Sequence, residues 1–122
     1  MKKVLIVEDD EYLCESYKTE LETHNFSVVI ARDGTEALVL LKSQTPNLIV
    51  VDLIMPKMGG VELLKEIKKI DALKNIPIIV STNVENEEVK RQSLKLGVKE
   101  FYTKSDISLD KFSEICDKYI NL

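Results

Sequence analysis

The sequence predicts an α/β protein in which five parallel strands form one sheet with helices on both faces. Short runs rich in valine and isoleucine alternate five times with longer amphipathic stretches, a pattern typical of strand–helix units joined by right-handed crossovers. The runs are apolar throughout rather than at every second residue, as expected for strands buried on both faces. With 122 residues and 44% hydrophobic content, the chain suits one domain, which we expect to span residues 1–122.

The five strands are predicted from apolar runs, and the helices from the stretches between them. Apolar runs occur at residues 4–7, 26–30, 48–53, 76–80 and 99–102. Three helices are predicted from apolar residues at helical spacing: Leu13, Tyr17 and Leu21 for the first, Leu63, Leu64, Ile67 and Ile70 for the third, and Phe112, Ile115 and Cys116 for the last.

Capping and charge patterns predict the other two helices. Asp33 with Glu36 three residues later forms a capping box, which predicts the start of the second helix. Residues 83–96 carry acidic side chains early and basic ones late, an order that suits the helix dipole, and Gly97 is predicted to end this fourth helix.

Composition excludes several classes of function. The formal net charge is −4, and the 17 basic and 21 acidic residues are mixed along the chain, so we expect no direct DNA binding. No apolar run approaches the roughly 20 residues of a membrane span, and we expect a cytoplasmic protein. Cys14 and Cys116 belong to no metal-binding pattern and are expected to be reduced and partly buried. His24, near the end of the first helix, is interpreted as a helix C-terminal cation.

Chemically active side chains follow four of the five predicted strands. Glu8 and Asp9 follow the first strand, Asp52 the third, Thr82 the fourth and Lys104 the fifth. Ligands of open parallel sheets bind beyond the carboxyl ends of the strands, so these residues should share one site. Neighbouring carboxylates repel each other unless one is protonated or a cation neutralises them, and a bound divalent ion is the simpler solution. Oxygen ligands in a partly open site favour Mg²⁺. In such a site an aspartate can act as a nucleophile toward phosphorus.

Each of these residues also has an ordinary structural interpretation. Asp9 or Asp10 can be only the N-cap of the first helix. Lys104 alone would be interpreted as a solvated surface lysine, and Thr82 as a strand-end residue that bonds to its own backbone. Their joint placement at one edge of the sheet favours the functional interpretation.

The motifs around these residues resemble those of the receiver domains of bacterial response regulators, over essentially the whole chain. Residues 52–60, Asp-Leu-Ile-Met-Pro-Lys-Met-Gly-Gly, match the family's Asp-x-x-Met-Pro-x-Met-x-Gly pattern around its phosphoacceptor. Glu8-Asp9 resembles the family's acidic pair. Thr82 is similar to the switch threonine, and Phe101 with Lys104 resembles the aromatic residue and the lysine of the fifth strand.

The resemblance implies a fold, a site and a partner. It implies a flavodoxin-like fold with strand order 2-1-3-4-5 and Asp52 as phosphoacceptor. It also implies Mg²⁺ held by Asp9, Asp52 and the backbone carbonyl of Ile54, with Glu8 acting through water. The phosphoryl donor would be a histidine kinase or a histidine phosphotransfer protein. Thr82 and Phe101 would switch the face formed by the fourth helix, fifth strand and fifth helix, to which a downstream protein binds.

The sequence departs from the family pattern at two positions. Ser105 replaces the proline that normally follows the lysine, and Asn83 replaces the small residue that normally follows the threonine. A cis peptide bond before a residue other than proline costs roughly 2.5 to 4 kcal/mol. We therefore predict a trans bond between Lys104 and Ser105.

Two other classes of protein share this kind of fold. Phosphatases and phosphotransferases with an aspartate nucleophile generally carry a second aspartate two residues later, where this chain has Ile54. Flavin- or nucleotide-binding modules need a glycine-rich phosphate loop after a strand, and no predicted strand is followed by one. The sequence therefore favours a phosphorylation-dependent switch over an enzyme.

Overall fold

The structure, a computed structural model, describes residues 1–121 and contains one parallel sheet in the order β2-β1-β3-β4-β5. The strands are β1 (Lys3–Val7), β2 (Ser27–Ala31), β3 (Leu48–Val51), β4 (Ile78–Thr82) and β5 (Glu100–Thr103). The helices are α1 (Glu11–Thr23), α2 (Gly34–Leu41), α3 (Gly60–Lys68), α4 (Glu87–Lys95) and α5 (Leu109–Ile120), with a short 3-10 helix at Lys104–Asp106. The predicted fold class and strand order are confirmed.

Side chains of the central strands alternate between two apolar cores, one on each face of the sheet. Leu5, Ile49 and Ile78 belong to the core that includes residues of α2 and α3. Val4 and Ile79 belong to the other core, in which residues of α1 and α5 pack. Because both faces are covered, β1, β3 and β4 are almost completely buried, which accounts for their continuous apolar sequence.

Side-chain caps determine where most of the helices begin. Asp33 accepts a hydrogen bond from the Glu36 backbone N–H at 2.8 Å, which confirms the predicted start of α2. Asp10, Asn86 and Ser108 cap α1, α4 and α5 in the same way. Helix α4 is followed by Gly97 in the left-handed region at φ 88°, as predicted for a helix stop.

Several predicted boundaries were wrong by a few residues. Strand β3 ends at Val51 rather than at residue 53, and β4 lies two residues later than predicted. Helix α4 begins at Glu87, not at residue 83, because Asn86 supplies the cap. Ile70 lies beyond the end of α3 and is 41% exposed.

The structure also tests the predictions for the peptide bond after Lys104 and for the two cysteines. No peptide bond within residues 1–121 is cis, so the predicted trans bond between Lys104 and Ser105 is confirmed. Cys14 and Cys116 are fully rather than partly buried. Burial raises the pKa of the Cys14 thiol to about 11 and that of Cys116 to about 12, so both stay protonated at neutral pH. None of the helices within residues 1–121 has the length and apolar content needed to span a membrane.

The strand order leaves a crevice at one end of the sheet. From β1 the chain crosses to β2 on one side and then to β3 on the other, so the connections leave β1 and β3 in opposite directions. Open α/β sheets bind ligands at such a switch point, beyond the carboxyl ends of the strands. Glu8 directly follows β1 and Asp52 directly follows β3, so both lie at this point.

We predict that Gly60→Ala destabilises the fold by roughly 1 to 3 kcal/mol, as overpacking does. A Cβ atom at Gly60 would lie 2.7 Å from the carbonyl oxygen of Asp52 and 2.7 Å from the Cα atom of Leu53, so the backbone would have to move. Gly59→Ala is the control, because its Cβ would meet its nearest neighbour at 3.5 Å, an ordinary contact. Urea unfolding that shows equal stability losses for the two variants would contradict this packing argument.

Candidate functional site

Backbone hydrogen bonds hold the main chain at Glu8 and Asp52, from which two acidic side chains extend. The N–H of Glu8 donates to the carbonyl of Ala31 at 3.0 Å, and the N–H of Asp52 donates to the carbonyl of Val7 at 3.0 Å. These bonds continue the strand ladders past the ends of β1 and β3. Both acidic residues are buried, whereas the adjacent Asp9 is exposed.

Glu8, Asp9 and Asp52 bring three carboxylates together. One oxygen from each lies within 4.8 Å of the others, close enough for a single metal ion to contact all three. The donor set contains only oxygen, which suits a hard divalent cation such as Mg²⁺. Because Asp9 is exposed, water can reach one side of the cluster, and Mg²⁺ usually keeps several water ligands. The residues therefore fit the ion that the sequence predicts.

Lys104 lies between two of these carboxylates. Its Nζ atom is 3.0 Å from Oδ2 of Asp52 and also forms an ion pair with Oε1 of Glu8. The Lys104 side chain is only 14% exposed, so solvent screens these ion pairs weakly. The remaining carboxylate oxygens accept backbone hydrogen bonds, from Asp10 N–H to Glu8 at 3.0 Å and from Ile54 N–H to Asp52 at 3.4 Å.

Burial and the Lys104 contacts act in opposite directions on the pKa values of Glu8 and Lys104. Burial raises the pKa of Glu8, and the hydrogen bond from Lys104 offsets this effect only in part. Burial alone would lower the pKa of Lys104, but its hydrogen bonds to Glu8 and Asp52 outweigh burial and raise it. Three carboxylates with one ammonium group leave a formal charge of −2, which a divalent cation would cancel.

Thr82 and Ile54 line the same cavity as the charged residues. Thr82 is the last residue of β4 and is fully buried, and its hydroxyl accepts a hydrogen bond from the Val84 N–H at 3.3 Å. The Ile54 side chain is 65% exposed at the rim. The open cavity has a volume of about 570 Å³ and is lined by Glu8, Asp9, Asp10, Asp52, Ile54, Thr82, Asn83, Val84 and Lys104.

Phe101 and His24, for which the sequence predicted roles, lie outside this cavity. Phe101 is half-buried and lines a separate cavity of about 450 Å³ between the β4–α4 connection and β5. The Nζ atom of Lys90 lies 5.9 Å from the centre of the Phe101 ring. His24 directly follows α1 and is 3.1 Å from Glu20, which agrees with a role at the helix end.

Sequence reasoning did not identify every partner in the site. It placed Glu8, Asp52 and Lys104 in one site but did not predict that both acids form ion pairs with this lysine. It left open whether Asp9 or Asp10 caps α1, and the structure assigns that role to Asp10, which accepts from the Leu13 N–H at 3.0 Å. The only sequence signal for the ion pair between Glu8 and Lys104 was the position of both residues just after parallel strands.

Comparison with known proteins agrees with this geometry. Residues 4–115 match the model of the response regulator receiver domain. The chain is 31% identical to the polar-differentiation response regulator DivK of Brucella anthropi over 121 residues, covering 98% of this chain and 96% of DivK. It is 34% identical over 103 residues to the alkaline phosphatase synthesis transcriptional regulatory protein PhoP of Bacillus subtilis, covering 84% of this chain but only 42% of PhoP.

Solved structures show the same architecture. The Mn²⁺-bound form of response regulator Rcp1 superimposes with a TM-score of 0.82 at 35% identity, covering 94% of this chain and 89% of Rcp1. The family match spans nearly all of the sheet and helices that build the acidic cavity. The chain therefore belongs to the family of response regulator receiver domains.

Proposed function

We propose that this chain is a phosphorylation-dependent signalling switch whose phosphoacceptor is Asp52. The observation that carries this proposal is the shared position of Glu8, Asp9, Asp52 and Lys104 at the switch point of the sheet. Asp52 combines a rigid backbone with an open cavity in front of it. An aspartate held in this way is available for attack on phosphorus.

The transfer reaction converts Asp52 into an acyl phosphate. One carboxylate oxygen of Asp52 forms a bond to the phosphorus of a phosphohistidine while the P–N bond breaks. The imidazole nitrogen keeps the electron pair of that bond and takes up a proton from solvent. Lys104 balances negative charge next to the reacting carboxylate. The Thr82 hydroxyl, which accepts from Val84 N–H, can donate its own proton to a phosphoryl oxygen.

Mg²⁺ is the proposed cofactor, with Asp9, Asp52 and the backbone carbonyl of Ile54 as its ligands and Glu8 acting through water. The ion would supply charge neutralisation for the carboxylates and for the incoming phosphoryl group. The compact oxygen cluster and its residual negative charge support this assignment. The related Rcp1 has been solved in a form that binds Mn²⁺, another divalent cation.

The proposed phosphoryl donor is a histidine kinase or a histidine phosphotransfer protein, and the proposed output is protein binding. The surface formed by α4, β5 and α5 is the proposed docking site for the downstream protein. Ser93 is the only fully buried residue of α4, and Leu94 is 47% exposed. Such thin packing gives low local stability, so a shift of Thr82 can move α4 and let the half-buried ring of Phe101 reorient.

We predict that a small-molecule phosphodonor with Mg²⁺ adds one phosphoryl group to the protein and none to Asp52→Asn. The amide is isosteric with the carboxylate but is not a nucleophile toward phosphorus, so the substitution removes the reaction without opening a cavity. Intact-mass measurement after incubation gives the result directly. Equal modification of both proteins would show that another residue accepts the phosphoryl group.

We predict that Mg²⁺ raises the thermal midpoint, and that Asp9→Asn reduces this effect. Binding only to the folded state contributes about 1.4 kcal/mol when free Mg²⁺ is ten times its Kd. Asp10→Asn is the matched control, because it removes a neighbouring charge while asparagine caps a helix as well as aspartate does. Identical midpoints in EDTA and in excess Mg²⁺ would remove the main support for the metal site.

We predict that Lys104→Met destabilises the protein by about 3 kcal/mol near neutral pH in EDTA, as expected when one member of a buried ion pair is lost. The pKa of Glu8 is already raised, so in the variant its carboxyl should protonate at a still higher pH. The stability difference from the wild type should therefore shrink as the pH falls through the pKa of Glu8 in the variant.

At alkaline pH, the stability difference between the wild type and Lys104→Met should shrink as the pH rises. Because the pKa of Lys104 is raised above 10.5, its stabilising contribution is complete below that value and is lost as the pH rises through the folded-state pKa. Urea unfolding of both proteins at acidic, neutral and alkaline pH tests both predicted changes in the stability difference. A stability difference that stays constant from mildly acidic to neutral pH would contradict the proposed pairing.

A further inference from the structure

Asn83 forms a hydrogen bond that connects two loops at the edge of the site. Its side-chain oxygen Oδ1 accepts from the backbone N–H of Ser105 at 3.2 Å. Asn83 directly follows Thr82, and Ser105 directly follows Lys104. The bond therefore joins the residues next to the threonine and the lysine of the cavity. These are also the two positions at which the sequence departs from the family pattern.

The Ser105 N–H has no acceptor within its own turn. Ser105 lies in the first turn of the 3-10 helix Lys104–Asp106, and the first N–H groups of any helix have no acceptor within that helix. Asn83 supplies this acceptor. A proline at position 105 would have no N–H to donate, so the bond depends on a residue other than proline there.

The bond also extends the pairing of β4 with β5. The last strand pair joins Thr82 to Thr103, and the segments after it belong to different loops. The bond between Asn83 and Ser105 connects these two segments just beyond the last strand pair. Lys104 lies between the last strand pair and this bond, so its backbone is fastened on both sides.

We propose that Asn83 is a positioning residue that fixes the backbone after Lys104 and so holds the Lys104 ammonium group against Glu8 and Asp52. The Lys104 ammonium group contacts Glu8 and Asp52 at the same time, so a displaced backbone at Lys104 would lengthen at least one of the two ion pairs. Asn83 acts through Lys104 and does not contact the reacting atoms. Its effect on phosphoryl transfer rests on the function proposed above, whereas its effect on the ion pairs does not.

The first test measures the rate of Asp52 phosphorylation by acetyl phosphate at saturating Mg²⁺. Asn83→Ala should lower the rate about 3- to 10-fold, the range that corresponds to one lost hydrogen bond. Ser105→Ala is the matched control, because the donor is the backbone N–H, and this variant should react at the wild-type rate. Equal rates for Asn83→Ala and Ser105→Ala would overturn the proposal.

The second test is a double-mutant cycle in urea unfolding that combines Asn83→Ala with Lys104→Met. If Asn83 acts through Lys104, its substitution should destabilise the wild type more than it destabilises the Lys104→Met variant. An equal loss in both backgrounds would indicate a merely local structural role and overturn the proposal. A wild type that is not phosphorylated would refute the proposed function, while this cycle would still decide on the positioning role.

Discussion

The ion pairs of Lys104 with Glu8 and Asp52 are the interaction on which the site depends. They connect residues that follow β1, β3 and β5, so they form only when the whole sheet has its observed order. Two buried carboxylates without a cation would be costly. A single shared ammonium group makes this arrangement tolerable but leaves it short of positive charge. This deficit supports the proposed binding of a divalent cation, which would also neutralise an incoming phosphoryl group.

The site is attached to the buried strands β1 and β3 on one side and to the thinly packed helix α4 on the other. Glu8 and Asp52 directly follow β1 and β3 and are held by backbone bonds that continue the strand ladders. Helix α4 has little buried surface, and it is joined to the site through the segment that begins with Thr82 and Asn83. In the proposed switch, a change of charge at Asp52 would therefore alter the α4 surface and leave the core in place.

Much of this arrangement could be predicted from the sequence, for identifiable physical reasons. Continuous apolar runs reveal buried parallel strands, and their carboxyl ends meet, so Glu8, Asp52, Thr82 and Lys104 could be placed at one edge without coordinates. The start of α4 was predicted four residues too early, because its acidic residues fit a helix dipole equally well before and after the Asn86 cap. The contact between Asn83 and Ser105 involves loop geometry and a backbone donor, and neither leaves a periodic signal.

In the proposed function, Asp52 accepts the phosphoryl group within a cation-binding cluster that includes Lys104. A crystal structure of the protein with Mg²⁺ and beryllofluoride, a phosphoryl mimic, tests this most directly. We expect beryllium bound to the Asp52 carboxylate, the metal ion beside Asp9, and Lys104 moved from Asp52 to a fluorine atom. Beryllofluoride bound elsewhere, or bound to Asp52 with no metal ion at the acidic cluster, would contradict the proposed function.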